Sequence, residues 1–99
     1  MSENIQIKTL LEFAARLEGT LLTTKARHKN FHVNVVNDDL EIIPQSSGKP
    51  RKAPNKNISK IIDQYNSTNS LQSKDYHDIT YNSVYILTLI EEYLATSKS

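Results

Sequence analysis

Cysteine is absent from this chain of 99 residues, which removes disulfides, thiolate metal sites and cysteine nucleophiles together. Glycine is nearly absent: only Gly19 and Gly48 occur. A P-loop needs a glycine five residues ahead of its Gly-Lys pair and a hydroxyl residue just after the lysine. Around Gly48-Lys49 those places hold Ile43 and Pro50, so nucleotide hydrolysis by that machinery is excluded. Long apolar runs are missing too. The most apolar stretch, Val84 to Leu94, is broken by Thr88, Glu91 and Glu92 and falls well short of the roughly 20 residues that span a bilayer. The first residues lack the basic segment and apolar run of a signal peptide. A cytoplasmic protein without a membrane segment is expected.

What remains is enough for a core. Leu, Ile, Val and Phe supply 26 of the 99 residues, above the roughly 20% below which disorder becomes the default. Asn and Ser are abundant and favour caps and turns, so short elements and much loop are expected. One domain over residues 1–99 fits the length. The Asn-, Lys- and Ile-rich composition reads as the product of a small bacterial or mobile-element gene.

Periodicity places the elements. Ile7, Leu10, Leu11, Ala14 and Leu17 recur at helical spacing, predicting a helix over 4–18 with Ser2 or Asn4 as its cap and Gly19 as its stop. Residues 20–24 suit a short strand, and residues 25–30 a basic connection. Residues 31–36 alternate, setting Phe31, Val33 and Val35 on one face and His32 and Asn34 on the other. Asn37-Asp38 supplies turn chemistry, 40–43 a return strand, and Pro44 its end. Residues 44–57 show no period; they hold all three prolines and four basic groups, with no acidic one. A flexible basic loop is expected there, and loops this long in small domains are usually functional or disordered. Ile58, Ile61, Ile62 and Tyr65 mark a second helix capped by Asn55 or Asn57 and broken at Asn66. A short helical turn follows near Ser73. A last helix opens at Thr80 or Asn82 and carries Ile86, Leu89, Ile90, Tyr93 and Leu94. The fold class is α+β: an N-terminal helix, a three-stranded antiparallel meander, a long basic loop, then two or three helices.

The net charge of +1 hides an uneven distribution. Residues 25–60 carry eight basic and three acidic groups, a balance of +5, whereas both flanks are mildly acidic. A concentrated basic middle points to an anionic partner. Lys25, Arg27, Lys29, Ser46, Ser47, Lys49, Arg51 and Lys52 are the candidate contacts, since a phosphodiester backbone asks for charge and hydrogen-bond donors rather than a fixed constellation. The patch is expected to be contiguous and unneutralised by acids from elsewhere.

No catalytic set stands out. His28 and His32, four apart on a loop entering a strand, are spread over about 13 Å and do not converge as zinc ligands. Of the acids Asp38, Asp39 and Glu41, the first two sit where a hairpin turn wants aspartates, and no acid precedes a lysine by two as a nuclease strand requires. No enzyme activity, metal or cofactor is expected. The leading function is non-enzymatic binding of DNA or RNA, or another polyanion. The alternative is a small homodimeric interaction module seamed by the last helix through Tyr81, Tyr85, Leu89 and Tyr93, because its apolar face looks wider than one small sheet needs.

Overall fold

The computed structural model describes residues 5–24, 28–80 and 82–97, which form three α-helices, one 3-10 turn and one four-stranded sheet. The chain is α+β, as its periodicities predict. Helix α1 spans Ile7–Arg16 and buries Leu10, Leu11 and Ala14, the positions its spacing selects. Its N-cap is Gln6, and the expected caps Ser2 and Asn4 lie outside the described residues. Gly19, at φ +84, turns the chain away in the left-handed conformation that glycine adopts most readily.

Four strands follow in a continuous meander, β1 Leu22–Thr23, β2 Asn30–Val36, β3 Asp39–Pro44 and β4 Arg51–Ala53, all antiparallel and in the order β1-β2-β3-β4. The two-residue turn between β2 and β3 holds Asn37 and Asp38 at φ +52 and +68, the mirror-image turn whose twist matches a hairpin. Strand β4 corrects the expected three-stranded sheet and shortens the loop to residues 45–50. It pairs Arg51 with Ile42 and Ala53 with Leu40. Pro50 and Pro54 bracket it, which an edge strand tolerates because a missing donor there costs no ladder bond.

Helix α2 runs Asn55–Thr68, longer at both ends than its apolar positions indicate. Pro54 is its N-cap residue and makes no side-chain cap. The cap instead comes from the sheet: Asp39 Oδ1 accepts the Asn55 N–H at 2.7 Å. Asn66, read as a breaker, is helical because its amide is satisfied elsewhere, accepting from Ile5 N and donating to Ile5 O, each at 2.9 Å. Asn69, left-handed at φ +60, ends the helix. A 3-10 turn over Ser73–Tyr76 seats Tyr76 in the core, and helix α3, Ser83–Ser97, closes the fold.

All three helices lie on one side of the sheet. Phe31, Val33, Leu40 and Ile42, on the helix-facing side of β2 and β3, are fully buried, with Leu22, Ala53 and Pro44 beside them. Alternate residues on the same strands are half-buried or exposed, so the sheet's other face is open to solvent. Six consecutive α3 residues, 85 to 90, are buried. A helix apolar all round is one surrounded on all sides. Among the described residues, no helix is long and apolar enough to cross a membrane.

Candidate nucleic-acid interface

Antiparallel pairing decides which connections meet. Thr23 pairs with Asn30, Phe31 with Pro44, and Ile42 with Arg51, so the β1–β2 and β3–β4 connections leave from the same end of the sheet. The first is closed by Thr24, whose buried side chain accepts the Lys29 N–H at 3.0 Å while its backbone bonds both Lys29 O and His28 N. His28 takes a left-handed φ of +53 to make that bend. The second begins with Gln45 N donating to Asn30 O at 2.9 Å and Gly48 N to Pro44 O at 2.8 Å, with Gly48 at φ +66. Lys49 N reaches the Ser47 hydroxyl at 3.3 Å. These bonds hold two basic connections side by side, although 16 or more positions separate Lys29 from Gln45.

Lys29, Ser46, Ser47, Lys49 and Arg51 are all exposed at this end. Among the described residues, Lys29, Lys49 and Arg51 make no ion pair. No acidic residue occurs in the segments 24–30 and 44–51 that make these connections. Lys25 and Arg27, the other two cations assigned to it, lie outside the described residues. Lys52 departs from the expected patch. Its neighbour across β3 is Glu41, and its Nζ lies 3.4 Å from Asp39 Oδ2. Alternation along β4 sends Lys52 to the face opposite Arg51, where the acids of the β2–β3 hairpin meet it.

The open face carries a graded set of side chains. At the cationic end the Thr23 hydroxyl donates to Asn30 Oδ1 at 2.7 Å, and Asn30 Nδ2 donates to Gln45 Oε1 at 3.0 Å, a row across three strands. Next come His32 and Ile43, paired and both half-buried. Then Asn34 Nδ2 donates to Glu41 Oε1 at 3.2 Å, with Lys52 beyond. Asp39, at the far end, is engaged by Lys52 and Asn55. Alternation in the sequence announces His32 and Asn34 on this face. The Asn30–Gln45 pair depends on strand register and has no local signal.

The residues assigned to a seam with a second copy divide between the core and its edge. Tyr85 is 6% exposed and its ring meets Phe31 edge-on, centroids 4.9 Å apart; Leu89 is fully buried. Both belong to the chain's own core, because the sheet, α1 and α2 together cover the width that looked excessive for a sheet alone. Tyr93 is half-buried and edge-on to Phe13 at 5.6 Å, and Tyr81 lies outside the described residues. Among the described residues, no three His, Asp or Glu gather as metal ligands. A groove of about 520 Å³ beside α1, floored by Leu11 and Val35, brings Lys8, Glu12 and Asp38 to its rim at the sheet end away from the basic connections. Comparison with protein-family profiles, with curated proteins and with solved structures finds no match to this chain.

Proposed function

We propose that the protein is a non-enzymatic binding module for nucleic acid, gripping the phosphate backbone with the cationic end of its sheet. One observation carries the reading: the register of the meander brings the two basic connections, distant in sequence, to one edge of the molecule. Lys29, Lys49 and Arg51 supply charge there, and the Ser46 and Ser47 hydroxyls supply donors. Phosphate contacts of this kind position a protein on a nucleic acid without selecting a sequence. Lys52, held by Asp39, stands outside the contact set.

The test is titration of labelled DNA and RNA oligonucleotides across a salt series. Each phosphate neutralised on duplex DNA adds about −0.9 to the slope of log K against log salt. Lys49→Gln is exposed and remote from the core, so it should leave the melting temperature unchanged while weakening binding and flattening the slope. Unaltered affinity in Lys49→Gln and Arg51→Gln together would remove this end of the sheet from the interface.

A further inference from the structure

Resting on that reading, we infer that the open sheet face is a base-reading surface for double-stranded DNA, entering the major groove with Asn30, Gln45 and His32 while Lys29 and Lys49 hold the flanking phosphates. Among the described residues the face is unpartnered, and its polar character is ordered rather than random. The hydroxyl of Thr23 fixes Asn30, and Asn30 fixes Gln45, so both amide oxygens are already accepting. That leaves the second Asn30 N–H and both Gln45 Nε2 hydrogens as outward donors, with the His32 imidazole one row along. Donors at a preset spacing suit the acceptors that purines show in the major groove, N7 and, for guanine, O6. Ile43, beside His32, offers an apolar contact to a thymine methyl.

Charge complementarity selects the orientation. Lys29 immediately precedes Asn30, and Lys49 follows Gln45 within the same connection, so these two cations flank the readers; Arg51, across from Ile42, belongs to the helix-facing side of β4. Asp39 stands at the far end of the face, engaged by Lys52 and Asn55, and Glu41, one row beyond His32 and Ile43, is engaged by Asn34. Size agrees. Neighbouring strands lie about 4.8 Å apart, and the major groove is about 12 Å wide, so two strands enter together. Single strands are disfavoured, because binders of unpaired bases present aromatic stacking platforms and this face has no Phe or Tyr on it. Duplex RNA is disfavoured as well, since its major groove is too narrow for side chains to read.

The experiment is enrichment of binding sites from a randomised DNA duplex pool, followed by anisotropy titrations of the full chain on the enriched duplex and on a shuffled one. Enrichment of a short site containing guanine is expected, with preference over the shuffled duplex of about tenfold or more. Gln45→Ala, on an exposed side chain, should reduce that preference several-fold and leave the salt slope unchanged. His32→Ala should do the same, keeping the test independent of any slackening that Asn30→Ala causes in the row. Tight, salt-dependent duplex binding with no enriched site, or a preference indifferent to both variants, would overturn base reading while leaving the phosphate grip intact. Stronger binding to single strands or to RNA than to duplex DNA would also overturn it. Absence of binding to any nucleic acid at low salt would overturn both.

Discussion

Replacing Asp39 with alanine should destabilise the fold by about 2 kcal/mol, although the residue lies on the surface edge of a hairpin. Its carboxylate joins two parts of the molecule. Oδ1 accepts the first N–H of helix α2 at 2.7 Å, and Oδ2 lies 3.4 Å from Lys52 Nζ. The two contacts differ in weight. A hydrogen bond to a charged group contributes about 1.5–3 kcal/mol, consistent with the loss of about 1 kcal/mol seen when a helix cap is removed plus the favourable charge at a helix N-terminus. The Lys52 pair adds at most about 0.5 kcal/mol, because the lysine side chain is 73% exposed and solvent screens it. Urea unfolding of three variants separates them. Asp39→Ala should lose about 2 kcal/mol, or roughly 10 °C of melting temperature. Asp39→Asn, which keeps an acceptor, should lose about half of that, and Lys52→Ala under about 0.5 kcal/mol. Equal losses for Asp39→Ala and Lys52→Ala would refute the capping role and leave only a surface ion pair.

Tyr85→Asp should unfold the protein, since the new carboxylate would be buried against Phe31 in the apolar core. Circular dichroism checks this, and a folded variant would show that Tyr85 is not in the core. Burial, with the nearby Asp75 charge adding to it, raises the Tyr76 phenol above its usual value of 10.0, and its hydroxyl donates to Ser70 O at 2.6 Å. Because the folded-state value is the higher one, stability from this group is complete below pH of about 10 and is lost as pH rises through the folded value. Tyr76→Phe should cost about 1–2 kcal/mol at neutral pH and flatten part of the alkaline decline; a decline identical to that of the parent would refute the assignment.

The legible parts of the fold were those with a repeating signal. Alternation in 31–36 and helical spacing from Ile7 to Ala14 correspond to real faces of β2 and α1. Strand β4 escaped because three residues, two of them cations, cannot show a period, and its pairing with β3 is decided by the turn at Gly48. The start of α2 was hidden for a different reason: its cap, Asp39, is 16 positions away. Helix α3 was ambiguous in sequence because a stripe too wide for one neighbour reads alike whether the cover is a second copy or the chain's own α1 and α2. The basic residues of the site were visible as composition. Their meeting at one sheet end follows once three strands are taken as a meander, but the Asn30–Gln45 row and the removal of Lys52 by Asp39 needed register and distance.

The most direct measurement of the phosphate grip is the dependence of duplex DNA affinity on salt for the unmodified chain and for Lys49→Gln. If the proposed grip holds, three cations at the sheet end, Lys29, Lys49 and Arg51, and up to five with Lys25 and Arg27, predict a slope of log K against log salt between about −2.7 and −4.5. The variant should be shallower by about 0.9. An affinity that does not change with salt, or a variant whose slope equals that of the unmodified chain, would contradict the assignment of this end of the sheet to phosphate binding.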